Sequence, residues 1–190
     1  HRHSSAASDV YKRQHVGSTI SMLNDGIDGN GMAARVTPIR VCGGSGCPGS
    51  ATYGAYLYLN GDTNDSLTTF AQRSAGQKLH SVNMSYGGSG GSATSSACVK
   101  LGELAEKGVL IASSSGNSGI GSVGWPSSCP RVYSVGATNG TDRRSSYSST
   151  NEYVAFSAPG GEYSDWNADG IDDLVYAYAR DDSYVQSSNN

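Results

Sequence analysis

Short apolar runs alternate with polar, glycine-rich stretches along the whole chain. VTPIRV (Val36–Val41), HSVNMSYGG (His80–Gly88), VLIASSSGN (Val109–Asn117) and VYSVGAT (Val132–Thr138) read as short strands ending in small residues and suited to burial on both faces. One segment carries helical spacing. In SATSSACVKLGELAEKG, Ala97, Leu101, Leu104, Ala105 and Gly108 fall three or four positions apart, with Ser or Thr available as N-cap and Gly108 as terminator. Strand, helix and strand within about 35 residues make a βαβ unit, which predicts an α/β fold with a parallel sheet flanked by helices. Ligands in such sheets sit beyond the C-terminal strand ends. SYGG and SSGNSG fall there, so their glycines mark either the rim of a site or simple turns.

Composition narrows the function classes. With 190 residues and 36% hydrophobic content the chain fits one domain with a sizeable core. A formal charge of -3 speaks against nucleic-acid or polybasic membrane-surface binding. No apolar run approaches the roughly 20 residues of a membrane span. Four cysteines and 26 glycines, with abundant Ser, Thr and Asn, favour a secreted, disulfide-bearing domain.

VNMSYGG, VLIASSSGNSG, VGWPSSCPRVYSVGA and VAFSAPG, in this order, with HVGSTI and NGMAARVTPIRV upstream, resemble the subtilisin-like serine proteases, peptidase family S8. The resemblance runs from residue 15 to about 160. It implies a three-layer subtilisin-like fold, truncated here at both ends. It also implies a secreted, monomeric serine endopeptidase acting on peptide or protein substrates through an Asp/His/Ser triad. In this family the order is Asp, His, oxyanion Asn, Ser. The Asn of GNSG is Asn117, whose amide would donate to the oxyanion.

The family's histidine motif reads HGTHVAGTI, with the first His catalytic. Here HVGSTI begins at the second, so His15 matches the non-catalytic one and the catalytic position falls on Lys12. The preceding SSAASDVYKRQ resembles the translation of a sequencing-library adapter, so residues 1–14 are expected to be foreign and residues 15–190 a partial peptidase domain. No GTSMA-type nucleophile motif follows FSAPG. The 190 residues alone are therefore expected to lack the triad and to be inactive.

The resemblance also assigns the substrate walls. Ser85, Tyr86 and Gly87 match the edge segment that pairs with an extended peptide, Ser114, Ser115 and Gly116 match the opposite wall of the specificity pocket, and Gly124 matches its floor. Small residues there imply tolerance of large apolar or aromatic side chains before the scissile bond. The same resemblance pairs Cys98 with Cys129, and Cys42 with Cys47 would close a tight loop around GGSG. It also predicts a cis bond at Trp125–Pro126. Residues 161–183 form an acidic insertion, and DWNADGIDD within it has oxygen donors at Asp165, Asn167, Asp169 and Asp173, the Ile171 carbonyl, and Gly170 at the turn. That is the pattern of a calcium loop, although Tyr176 stands where an EF-hand has its bidentate Glu. Two other readings stay open: a catalytically dead peptide-binding relative, and a calcium-binding structural module.

Overall fold

The computed structural model describes residues 14–21, 31–32, 34–43, 46–62, 78–88, 92–121, 123–178 and 184–186. Residues 4–13 of the adapter-like stretch, Lys12 among them, and the acidic residues Asp181 and Asp182 lie outside them. The elements are helix α1 (residues 14–21), α2 (Gly49–Asn60), β1 (Ser81–Met84), α3 (Ser96–Glu106), β2 (Leu110–Ser114), β3 (Tyr133–Thr138), β4 (Val154–Pro159), β5 (Tyr176–Tyr178) and β6 (Tyr184–Gln186).

Strands β1 to β4 form one parallel sheet in sequence order, and β5 and β6 pair antiparallel apart from it. β1, α3 and β2 make the βαβ unit. Ser95 caps α3, its hydroxyl accepting from the Cys98 N–H at 3.3 Å, and Gly108 ends the helical stretch with φ 83°. The helix buries Cys98, Leu101 and Leu104 against Ile111 of β2 and Met84 of β1, and Tyr56 of α2 joins the same core. Fully burying a side chain of this size stabilises by about 1.5–3 kcal/mol, so this layer dominates cohesion.

The sheet is not buried equally on its two faces. Ile111 and Ser113 of β2 and Ser134 of β3 point to the helical layer and are at most 1% exposed. On the other face Leu110, Tyr133 and Phe156 are about half exposed, and the Tyr133 and Phe156 rings meet at 6.2 Å. Helix α1 sits at the C-terminal end of that face, where Val16 and Ile20 line the same space as Val135 and Ala137.

Several elements differ from the sequence reading. Val36–Val41 joins no ladder among the described residues: Pro38 offers no N–H, and Val36 is 39% exposed. Helices α1 and α2 and strand β4 escaped the pattern. α2 is rich in Gly, Ser, Thr and Tyr, but Thr52 and Tyr56, one turn apart, are both buried, and Gly61 closes the helix at φ 86°.

Cys98 is bridged to Cys129 and Cys42 to Cys47, with Cα separations of 5.2 and 4.0 Å. The first ties α3 to the loop that follows β2.

Candidate active site

Two chain segments leave the sheet side by side and leave a cleft between them. β1 is an edge strand, and residues 85–87 continue it with no backbone hydrogen bond among the described residues before Gly88. β2 runs on into residues 115–119. The cleft encloses about 400 Å³ and runs across the C-terminal ends of all four strands, with Asn83 and Ser85 at the end of β1, residues 113–117 at the end of β2, residues 135–137 of β3 and 158–160 at the end of β4, and α1 with His15 along it. No Asp, Glu, Lys or Arg among the described residues lines it. An apolar, uncharged side chain therefore meets no isolated charge there.

The outer wall is closed by a backbone pair. Gly88 N–H donates to Trp125 O at 3.0 Å and Trp125 N–H to Gly88 O at 3.1 Å, and the Trp125–Pro126 bond is cis, in agreement with the resemblance. Gly124 sits against Gly88, where a Cβ would collide with the Gly88 carbonyl, and a Cβ on Gly87 would lie 3.1 Å from the Trp125 carbonyl. Only glycine fits this close approach at position 124. Gly87, Tyr86 and Gly124 thus shape the wall behind the cleft rather than line it. Tyr86 turns inward: its hydroxyl meets that of Tyr56 at 2.7 Å, and both rings stand 6.3–6.5 Å from Trp125. Burial, the largest effect, pushes both phenols above their ordinary pKa. The pair stays neutral, and the edge segment is anchored from beneath.

The β2 end is held by serines. Ser113 donates to Met84 O at 3.2 Å, while Ser127, buried behind the wall, donates to the Ser114 carbonyl and approaches the Ser113 hydroxyl at 3.1 Å. The Ser115 N–H donates to Val135 O at 2.9 Å, so Ser115 is buried whereas Ser114 and Asn117 stay exposed. Among the described residues nothing bonds to the Asn117 side chain. Its amide is free to donate into the cleft. His15 lies within reach of the same space, but its Nε2 is 3.0 Å from the Val175 carbonyl, which can only accept. That nitrogen carries a proton and is not an open base. Asn83, whose amide donates to the Ser85 hydroxyl at 2.9 Å, Ser127 and Ser149 are site residues that sequence reasoning passed over. A lone Ser or Asn among many gives no periodic or spacing signal.

The sequence model of the subtilase family matches residues 14–189. The chain belongs to the subtilase family. It is 33% identical over 147 residues to alkaline elastase YaB of Bacillus sp. (strain YaB), covering 76% of this chain and 35% of that protein. To subtilisin Savinase of Lederbergia lenta it is 31% identical, covering 77% of this chain and 49% of that one, and to the extracellular basic protease of Dichelobacter nodosus 35%, covering 77% and 24%. This subtilase chain thus spans a quarter to a half of the length of these relatives. Among solved structures, the subtilisin-like protease Apa1 from Pseudoalteromonas sp. AS-11 superposes with TM-score 0.60 at 25% identity, covering 77% of this chain and 31% of that one. A protease from Pseudoalteromonas arctica PAMC 21717 shares the fold with TM-score 0.72 at 24% identity, covering 92% and 52%.

The acidic segment of this subtilase lies past β4. Asp165 accepts from the Asp169 and Gly170 N–H groups at 3.0 and 2.7 Å, Asp169 from Ile171 N–H at 2.9 Å, and Asp173 from Trp166 N–H at 2.7 Å. Asn167 and Asp169 bond to each other as well. The oxygens thus face the loop's own amides, with Gly170 at φ 86°. Among the described residues no three His, Cys, Asp or Glu side chains gather closely enough to hold a metal. The donor set is oxygen-only, which suits calcium in kind.

Proposed function

We propose that this chain forms the substrate-binding and oxyanion-stabilising part of a secreted serine endopeptidase. The observation that carries the reading is the amide of Asn117, unbonded among the described residues, at a cleft bordered by an open strand edge and the end of β2. An extended peptide would add to residues 85–87 as a further strand, placing the side chain before the scissile bond between that edge and residues 114–116. As the carbonyl carbon becomes tetrahedral, its oxygen gains charge. A donor fixed in place and free of other bonds stabilises that charge more than it stabilises the substrate. Small, uncharged walls favour large apolar or aromatic side chains. The extracellular name of the Dichelobacter nodosus relative and the two disulfides support secretion.

Nucleophile, base and acid are assigned to no residue of this chain, because Lys12 stands at the motif position of the base and no nucleophile motif is present. The expected result is that the purified 190-residue chain hydrolyses no peptide, whereas the complete protease domain containing residues 15–190 does so and is stopped by a serine-directed reagent. Turnover by the chain alone, stopped by the same reagent, contradicts the assignment. Absence of turnover from the complete domain favours the dead peptide-binding relative instead.

For the acidic loop we propose weak structural calcium binding through Asp165, Asn167, Asp169, the Ile171 carbonyl and Asp173. The ion would neutralise carboxylates that otherwise rely on backbone donors. Binding to the folded state alone stabilises by about 2.7 kcal/mol at a calcium concentration 100 times Kd. Trp166 emission should change and the melting temperature should rise with millimolar calcium, but not in Asp165→Asn. Equal melting curves with calcium and with a chelator count against the site.

A further inference from the structure

We propose that Ser149 is a positioning residue for Asn117, an inference that rests on the oxyanion role assigned above. Asn117 sits in an exposed turn beyond β2, and no regular element fixes it. Its two neighbours are nevertheless held by one buried residue. The Ser118 N–H donates to Ser149 Oγ at 2.9 Å, and the Ser149 N–H donates to the Gly116 carbonyl at 2.9 Å. Ser149 is 1% exposed, so the clamp is shielded from competing water. Gly116 has φ 105°, and a Cβ there would come within 3.1 Å of Ser149 Oγ, so the glycine lets the clamp close.

The clamp is itself mounted on a braced segment. Arg144 Nη1 donates to the carbonyls of Ser145, Ser146 and Ser148 at 2.8–3.2 Å, Ser145 donates to Gly161 O at 2.7 Å, and Glu162 accepts from both the N–H and the hydroxyl of Ser146. Further along, Gly119 N–H donates to Tyr147 O, Thr150 N–H to Gly119 O, and Gly121 N–H to Thr150 O. Of the five bonds that lace residues 116–121 to residues 147–150 among the described residues, four are backbone to backbone. The bond to Ser149 Oγ is the side-chain link in that set, and it is the one next to Asn117. Substituting it removes a single bond and leaves the lacing otherwise intact. Pre-set donors work because they need no reorganisation as charge develops.

The test is a double-mutant cycle between Ser149→Ala and Asn117→Ala in the complete protease domain, with amide exchange of the 190-residue chain alongside. Ser149→Ala is expected to lower kcat about tenfold or more, less than loss of the donor itself, with KM within about twofold, because the donor is misplaced rather than removed. In the Asn117→Ala background the same change should have no further effect on kcat. In the chain itself, exchange at Ser118 should accelerate while Ile111 and Val135 keep their protection. An equal loss of kcat in both backgrounds makes Ser149 merely structural and overturns the proposal, as does an unchanged kcat or unchanged Ser118 exchange. If Asn117→Ala alone leaves kcat intact, the oxyanion reading fails and takes the positioning role with it.

Discussion

Replacing Asn117 by alanine in the complete protease domain is expected to lower kcat by about 10²- to 10³-fold, roughly 2.7–4 kcal/mol of transition-state stabilisation; this magnitude is the one known for subtilisin's own oxyanion-hole asparagine, taken over through family membership rather than obtained from the present geometry. What the geometry does contribute is the partition of the effect. The Asn117 amide has no partner among the described residues, so its removal unsatisfies nothing in the resting protein. It lies beside the cleft and not in the core, so the fold should keep its melting temperature. KM should therefore change little, since the bond forms mainly in the transition state. Steady-state kinetics on a peptide substrate separate the two parameters. A loss confined to KM would make Asn117 a substrate-binding residue.

The second large effect is on stability. Opening the Cys98–Cys129 bridge by a double substitution to alanine should cost roughly 3–4 kcal/mol, from the chain entropy released when a loop with sequence separation 31 is no longer closed. For a domain of this size that corresponds to a fall in melting temperature of about 10 °C. Both sulfurs lie in the core cluster, at 3% and 4% exposure, so lost packing adds to the entropic term. The consequence reaches the site. The loop held by Cys129 carries Gly124, Trp125 and Ser127, which form the outer wall and brace the end of β2. Opening the bridge between Cys42 and Cys47, separation 5, should cost less, roughly 2 kcal/mol. Thermal denaturation of the two double variants checks the order. A larger loss from the 42–47 pair would place the structural weight elsewhere.

Much of this arrangement was legible in the residues because it depends on local, punctuated signals. The capped α3 and the strand ends SYGG and SSGN each obey a rule of spacing or backbone freedom that a sequence displays. The short spacing of Cys42 and Cys47 suggested their loop, whereas the cis bond at Trp125–Pro126, Gly124 and the Cys98–Cys129 pair came from family resemblance. What stayed hidden depends on tertiary partners. Tyr56 and Thr52 make α2 helical by burying one stripe against α3, overriding a composition of Gly, Ser and Tyr that favours turns and strands. Val36–Val41 has the composition of a strand but no neighbouring ladder among the described residues. β4 ends in Ala-Pro, and its register slips at Ser134/Val135, so neither alternation nor propensity announced it. Ser149 is one of several serines in a row, and only the folded contact distinguishes it.

Whether Asn117 supplies an oxyanion donor is decided by a crystal structure of the complete protease domain with a peptidyl boronic acid, whose tetrahedral boron carries an oxygen in the oxyanion position. Asn117 Nδ2 is expected within about 2.7–3.1 Å of that oxygen, with the peptide backbone paired along residues 85–87. An Asn117 amide turned away from the boronate oxygen, or a peptide seated elsewhere, would contradict that expectation.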